Sequence, residues 1–209
     1  VDAYHLQLTW VTGVYGVAPA GYKAGLTNPA AQARFGIDTP VVGVLPEVAH
    51  AVSGAEFHAA PGLLIEVEIG LLVGRDGAPA AMVGVVELPK LSFAAPELLD
   101  RNDVIAANVS AYRFVTGSST LFDPAVRDVS VVLERDGEVL NRAYARDAMG
   151  DPVAAYQWMM RKLRAVGYRI DPGMVLLTGA LGRVVDGVPG RYTARFDGAL
   201  GSVDFRIVR

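Results

Sequence analysis

LIEVEIGLLV, residues 64 to 73, decides the architecture. Ile65, Val67, Ile69, Leu71 and Val73 alternate with Leu64, Glu66, Glu68, Gly70 and Leu72, a period of two that predicts a β-strand. Alternation puts Glu66 and Glu68 on one face, their Cα atoms about 7 Å apart. Like charges this close resist joint ionisation when buried unless a cation neutralises them, and a hard oxygen-seeking ion such as Mg2+ or Mn2+ would do so. Periodicity alone equally accommodates a solvated strand face with both carboxylates in water, the commoner meaning of polar alternation.

Downstream, Arg75 to Pro79 (RDGAP) predicts a turn, and Val83 to Leu88 a second strand that Pro89 stops, with Glu87 near its end. Upstream, Asp2 caps an expected helix whose apolar side carries Leu6, Trp10 and Val14 and which Gly16 ends. Asn28-Pro29 and Gly36 bracket a short second helix, preceded by a loop, GYKAGLT, that carries Lys23. Asp103 to Val115 reads as a helix with Val104, Asn108, Tyr112 and Val115 on one side. Val129 to Glu134 and Glu138 to Ala143 flank the hairpin turn Asp136-Gly137. Asp151-Pro152 opens a helix with Val153, Tyr156, Met160 and Leu163 as its buried stripe and Gly167 as its stop, and Val175 to Ile207 is short strands and turns. Strands outnumber helices without strict strand–helix alternation, which predicts an α+β fold and a largely β core from Leu64 onward. No Pro, Gly or Ser-rich linker divides the chain, so a single domain is expected.

The 209 residues carry 19 basic and 22 acidic side chains, lacking the basic excess with which nucleic-acid binders neutralise phosphate. Small molecules or sister subunits are the expected partners. With no cysteine, a thiolate ligand, a disulfide and a cysteine nucleophile are all excluded, and a metal site must use carboxylates or the three histidines. No run of about 18 apolar residues or signal-peptide layout is present, so no membrane span and a cytoplasmic setting are the expectation. His5, His50 and His58 lack zinc-site spacing, and no GxSxG, GxxxxGK or HExxH motif occurs.

The order GYKAGLTNPAAQARFGIDTPVVGVL, EVEIGLLV, VVELPKLSF, VIAANVSAYRFVTG and MGDPVAAYQWMMRKLRAVGYRIDPGMVLLTGALG resembles the 2-keto-4-pentenoate hydratase family of the fumarylacetoacetate hydrolase superfamily, from about Tyr4 to Ile207. The resemblance implies a mixed, strongly twisted β-sheet roll with flanking helices, lacking part of an N-terminal helical segment usual before the position of Val1. It implies that Glu66, Glu68 and Glu87 bind Mg2+ or Mn2+, that Lys23 moves protons, that Asn108, Ser110 and Thr178 contact substrate, and that the protein is a homo-oligomer. The chain departs from the family at Lys90 and Ala107, where many members carry carboxylates, and this bears on the substrate.

The implied chemistry is that of a hydratase. A 2-hydroxydienoate, held by the metal through its carboxylate and 2-oxygen, ketonises with a proton moved through Lys23 or a nearby carboxylate, and water adds to give a 4-hydroxy-2-oxo acid. Three alternatives stand beside it: decarboxylation of a 2-oxo dicarboxylate, carbon–carbon hydrolysis with His50 or His58 as base, and a binding homologue without activity.

Overall fold

A computed structural model describes residues 2–16 and 19–209. In chain order, helix α1 (Ala3–Tyr15) precedes β1 (Pro19–Gly25), α2 (Pro29–Arg34), β2 (Val41–Pro46), β3 (His50–Val52), β4 (Ala55–His58), β5 (Leu64–Val73) and β6 (Pro79–Leu88). Then come α3 (Arg101–Ala106), β7 (Arg113–Thr116), β8 (Thr120–Leu121), β9 (Ser130–Arg135), β10 (Glu138–Tyr144) and α4 (Pro152–Ala165). Four strands close the chain: β11 (Val175–Leu177), β12 (Val185–Asp186), β13 (Gly190–Phe196) and β14 (Ser202–Val208). No helix among the described residues is long and apolar enough to cross a membrane.

The larger sheet runs β2-β1-β11-β5-β6-β7-β3, with β12 on β5 and β8 on β6, and mixes parallel with antiparallel pairs. Its two edges, β2 and β3, are consecutive in sequence and joined only by the turn Glu47–Ala49. Edges joined by so short a link must lie side by side there, so the sheet curls into a roll. Inside pack Leu45, Val83, Val85, Phe114 and Leu177, from four different strands. The opposite side chains of β5, Ile65, Val67, Ile69 and Leu71, join the outer core, which includes Tyr156, Met159, Met160 and Leu163 of α4. The smaller sheet, β10-β9-β13-β14-β4, packs on the roll, with the Phe196 ring filling the space where Gly84 has no side chain.

The α+β class, the β5–β6 pair, the β9–β10 hairpin and the α4 stripe match the expectation from sequence; Val153 and Trp158 are part-buried against the core, and Met159 is fully buried. Three local expectations are corrected. Helix α1 turns outward the side expected to be buried: Leu6, Trp10 and Val14 are 46%, 47% and 57% exposed. The helix docks instead through Ala3, Tyr4, Gln7 and Val11, because the Gln7 amide donates to the carbonyls of Val42 and Ile105. The Asp103 to Val115 helix stops at Ala106; a left-handed turn follows, and Arg113–Thr116 instead pairs with β6. Lastly, GYKAG is strand rather than loop. Its Gly21 is required because β1 lies so close to β11 that a Cβ there would fall 1.8 Å from the Val175 carbonyl oxygen.

Candidate metal centre

Antiparallel register sets Glu66 directly opposite Glu87, and Glu68 stands two residues along β5 on the same inward face. One carboxylate oxygen from each lies within 4.8 Å of the others. Glu68 and Glu87 are fully buried and Glu66 partly so, which rules out the solvated strand face. Lys23 reaches the cluster from β1. Its Nζ donates to Glu87 Oε1 at 2.6 Å and to the Val109 carbonyl at 3.3 Å.

Three carboxylates against one ammonium leave two negative charges when all are ionised, the charge that a divalent cation cancels. Burial is the largest influence pushing Glu66 up to about 7, with Glu87 adding to it and Lys23 opposing it. Glu68 is raised well above the ordinary carboxylate range by burial, then by Glu87 and Glu66. For Lys23, burial alone would lower the pKa, but Glu87, Glu66 and Glu68 together outweigh it, so the ammonium is favoured. Glu68 Oε2 accepts the Gly179 backbone N–H at 2.8 Å, whereas Glu68 Oε1 and Glu87 Oε2 are buried with no hydrogen-bond partner. Buried carboxylate oxygens rarely go unmatched. Hard donors, two orphaned oxygens and an unbalanced double charge fit a divalent ion such as Mg2+ or Mn2+.

Backbone groups that residue types cannot reveal complete the site. Asn108, Val109 and Ser110 are all left-handed, with φ of 54°, 52° and 58°, a costly run for a β-branched residue. Asn108 anchors the turn: its amide donates to the Val44 carbonyl at 2.8 Å, and its Oδ1 accepts the Val44 N–H at 2.7 Å. The turn presents the Val109 carbonyl to Lys23 and seats the Val109 side chain where a Cβ on Gly25 would come within 2.3 Å of it. Across the roll, Thr178 donates through Oγ1 to the Ile69 carbonyl, which sets the following Gly179 N–H on Glu68. Gly179 has a φ of 112°, and a Cβ there would lie 2.6 Å from Thr27, so only glycine fits.

A cavity of about 550 Å3 opens over Lys23 and Glu66, walled mainly by apolar groups such as Leu26, Phe35, Leu64, Phe93 and Leu99, with Ser110 on its edge. The fully buried Asn108 and Thr178 side chains bond to backbone and do not line it. Arg34 does line it, a residue that no sequence signal marked. His50 lies elsewhere, stacked on Phe114 with Nε2 2.8 Å from Thr116 Oγ1, in a separate pocket of about 280 Å3. His58 is exposed on β4, in the smaller sheet, and neither histidine lines the larger cavity. Lys90, one of the departures from the family pattern, lies over the Tyr112 ring, 5.5 Å from its centroid.

No family model matches the chain. It is 32% identical over 203 residues to a 2-keto-4-pentenoate hydratase of Burkholderia vietnamiensis, covering 88% of this chain and 76% of that protein. It is also 30% identical to a 4-oxalocrotonate decarboxylase of Pseudomonas putida, covering 90% and 77%. Among solved structures, the 4-oxalocrotonate decarboxylase of Pseudomonas putida G7 complexed with magnesium and adipate superposes with a TM-score of 0.88 at 26% identity, covering 99% of this chain and 85% of that one.

Proposed function

Because the chain belongs to the 2-keto-4-pentenoate hydratase family of the fumarylacetoacetate hydrolase superfamily, we propose that it is a divalent-metal-dependent hydro-lyase that converts a small 2-hydroxydienoate to a 4-hydroxy-2-oxo acid. The buried Glu66, Glu68 and Glu87 cluster, with its two unpartnered oxygens and Lys23 beside it, carries this reading. These glutamates would hold Mg2+ or Mn2+, and the ion, when bound, supplies Lewis-acid polarisation of the acid's carboxylate and 2-oxygen.

The chain's own residues do the rest. Lys23 keeps a proton at Nζ; two of its three N–H groups are assigned to Glu87 and Val109, and the third serves proton transfer to the dienol as it ketonises. The largely apolar cavity wall suits the carbons of the diene, beside Lys23 and Glu66. Ser110 supplies a hydroxyl at the cavity edge. Asn108 and Thr178 are positioning residues in this reading, acting through Val109 and Gly179. Assembly into a homo-oligomer belongs to the same proposal, and light scattering tests it.

Decarboxylation of a 2-oxo dicarboxylate is the second reading, favoured by 30% identity to a decarboxylase. Both activities are tested by supplying 2-hydroxypenta-2,4-dienoate and a six-carbon 2-oxo-enedioate with Mg2+, following loss of dienol absorbance and release of carbon dioxide. The hydratase reading expects a 4-hydroxy-2-oxo product without carbon dioxide from the dienoate, abolished by EDTA. Carbon dioxide from the enedioate with no hydration of the dienoate would select the decarboxylase, and inertness toward both would select a binding homologue.

A further inference from the structure

Of the buried polar side chains among the described residues, Lys23, Glu68, Glu87, Asn108 and Thr178 belong to the metal centre, and Gln7 docks α1. Asn141 is left over. It stands on β10, the edge strand of the smaller sheet, yet its amide bonds to the connection between β11 and β12 of the larger one. Nδ2 donates to the Leu181 carbonyl at 2.8 Å, and Oδ1 accepts the Arg183 N–H at 3.3 Å. Gly182, between these two, is left-handed with φ of 67°, and a Cβ there would fall 2.6 Å from Asn141 Oδ1 and 2.9 Å from the Ala143 Cβ. The connection is thus wrapped around the amide as closely as glycine permits. Ala180, Gly182 and Val184 of this connection line the cavity over Lys23 and Glu66. Its start is held on β5 by bonds from the Thr178 and Leu181 N–H groups to the Ile69 and Val67 carbonyls, and its end by Val185 pairing with Ile65. Gly179, whose N–H reaches Glu68, lies between the first two bonds and is fixed without Asn141. Residues 182–184 lie beyond them, where Asn141 supplies the side-chain anchors.

We infer that Asn141 is a positioning residue for substrate binding: from the smaller sheet it fixes the 182–184 wall of the cavity and leaves the metal ligands untouched. This rests on the metal-centre reading above and gives the second sheet a part in that site. Without the amide, the Leu181 carbonyl and the Arg183 N–H lose their partners, and a wall free to move must be ordered when substrate binds, which weakens binding. The simpler role for Asn141 is a packing contact between the sheets, felt in stability alone.

Calorimetric titration with Mg2+, and then of the Mg2+-loaded protein with 2-oxopentanoate, a saturated 2-oxo acid, separates these roles. Asn141→Leu keeps much of the shape and removes both bonds, and Asn141→Ser is a second variant should the first fail to fold. Phe205→Leu, a buried truncation on β14 with β9 and β13 between it and β10, controls for lost stability. Both Asn141 variants should hold Mg2+ within about twofold of the native affinity but bind 2-oxopentanoate at least about fivefold more weakly. In turnover of the dienoate, KM should rise while kcat stays near the native value. Phe205→Leu should melt lower and keep both affinities. Native 2-oxopentanoate affinity in the Asn141 variants, or an equal loss in Phe205→Leu, overturns the inference alone. So does a loss of Mg2+ affinity as large as the loss for the acid, which would put Asn141 behind Gly179 rather than behind the wall. Failure of the native protein to bind Mg2+, or to bind 2-oxopentanoate once loaded, removes the metal-centre reading and this inference with it.

Discussion

Lys23 is the one cation among three inward-facing carboxylates, and its stem is buried with it. Replacing Lys23 with Met keeps much of that stem but leaves Glu87 without its partner, which should cost about 3–5 kcal/mol in the metal-free protein. Turnover should fall at least ~100-fold, as expected for loss of a general acid–base group. Metal-dependent stabilisation should persist, because every candidate ligand is still present; turnover assays and melting curves with and without Mg2+ check both halves. Glu66 gives a pH signature. Its folded-state pKa of about 7, against an ordinary 4.5, means that the metal-free fold binds this proton more tightly than the unfolded chain does. The associated stability is therefore full below about 4.5 and is lost as pH rises toward 7. Mg2+ competes with the same proton, so the melting increment it confers should be small at pH 5 and grow through pH 7. Melting curves across that range with Mg2+ or EDTA test this, and a pH-independent increment would contradict it.

The left-handed turn from Asn108 to Ser110 shows how an element can be built for one carbonyl. Asn108→Ala removes both side-chain bonds to Val44, leaves its backbone groups unmatched, and replaces a residue tolerant of positive φ with one that is not. A loss of about 2–4 kcal/mol is expected, with kcat falling more than substrate affinity because the Val109 carbonyl no longer aligns Lys23. Steady-state kinetics and denaturant titration would show it; unchanged kcat would make the turn purely structural. This turn was illegible in the sequence because Val104, Asn108, Tyr112 and Val115 also fit helical spacing, and only pairing with β6 draws residues 113–116 into a strand. Strand β1 was hidden for another reason: its glycines answer to a neighbouring backbone, which composition reads as loop. Helix α1 was legible as a helix but not by its face, since a polar side chain, Gln7, makes the docking contacts. By contrast β5, the β9–β10 hairpin and α4 announce themselves by local periodicity and turn chemistry, and the structure keeps them.

At the scale of the molecule, the roll has two polar regions separated by its apolar inner core of Leu45, Val83, Val85, Phe114 and Leu177. The carboxylates and Lys23 stand on one side of that core. His50 and Thr116 line the other pocket with Leu72, four residues along β5 from Glu68 and so about 13 Å away. His50→Ala should therefore leave turnover within about twofold of the native rate, since exposed changes remote from chemistry have small effects; a collapse of activity would instead favour a hydrolase using that histidine. The acidic residues of the site were legible through the family resemblance rather than through periodicity, because ExE on a strand also fits a solvated face and Glu87 stands on a separate strand. The Gly179 N–H, the Val109 carbonyl and the placement of Arg34 were not, since each depends on how distant segments meet across the roll. The central claim is that Glu66, Glu68 and Glu87 form one divalent-metal site on which activity depends. Glu68→Gln tests it most directly: the amide oxygen can still accept the Gly179 N–H, so the fold should survive while one anionic donor is lost. With Mg2+ or Mn2+ at about a hundred times its Kd, the native protein should melt about 5–10 °C higher than in EDTA. The variant should show little shift and no turnover of a 2-hydroxydienoate. Equal shifts in native protein and variant, or no shift in either, would contradict the metal centre and the hydratase reading built on it.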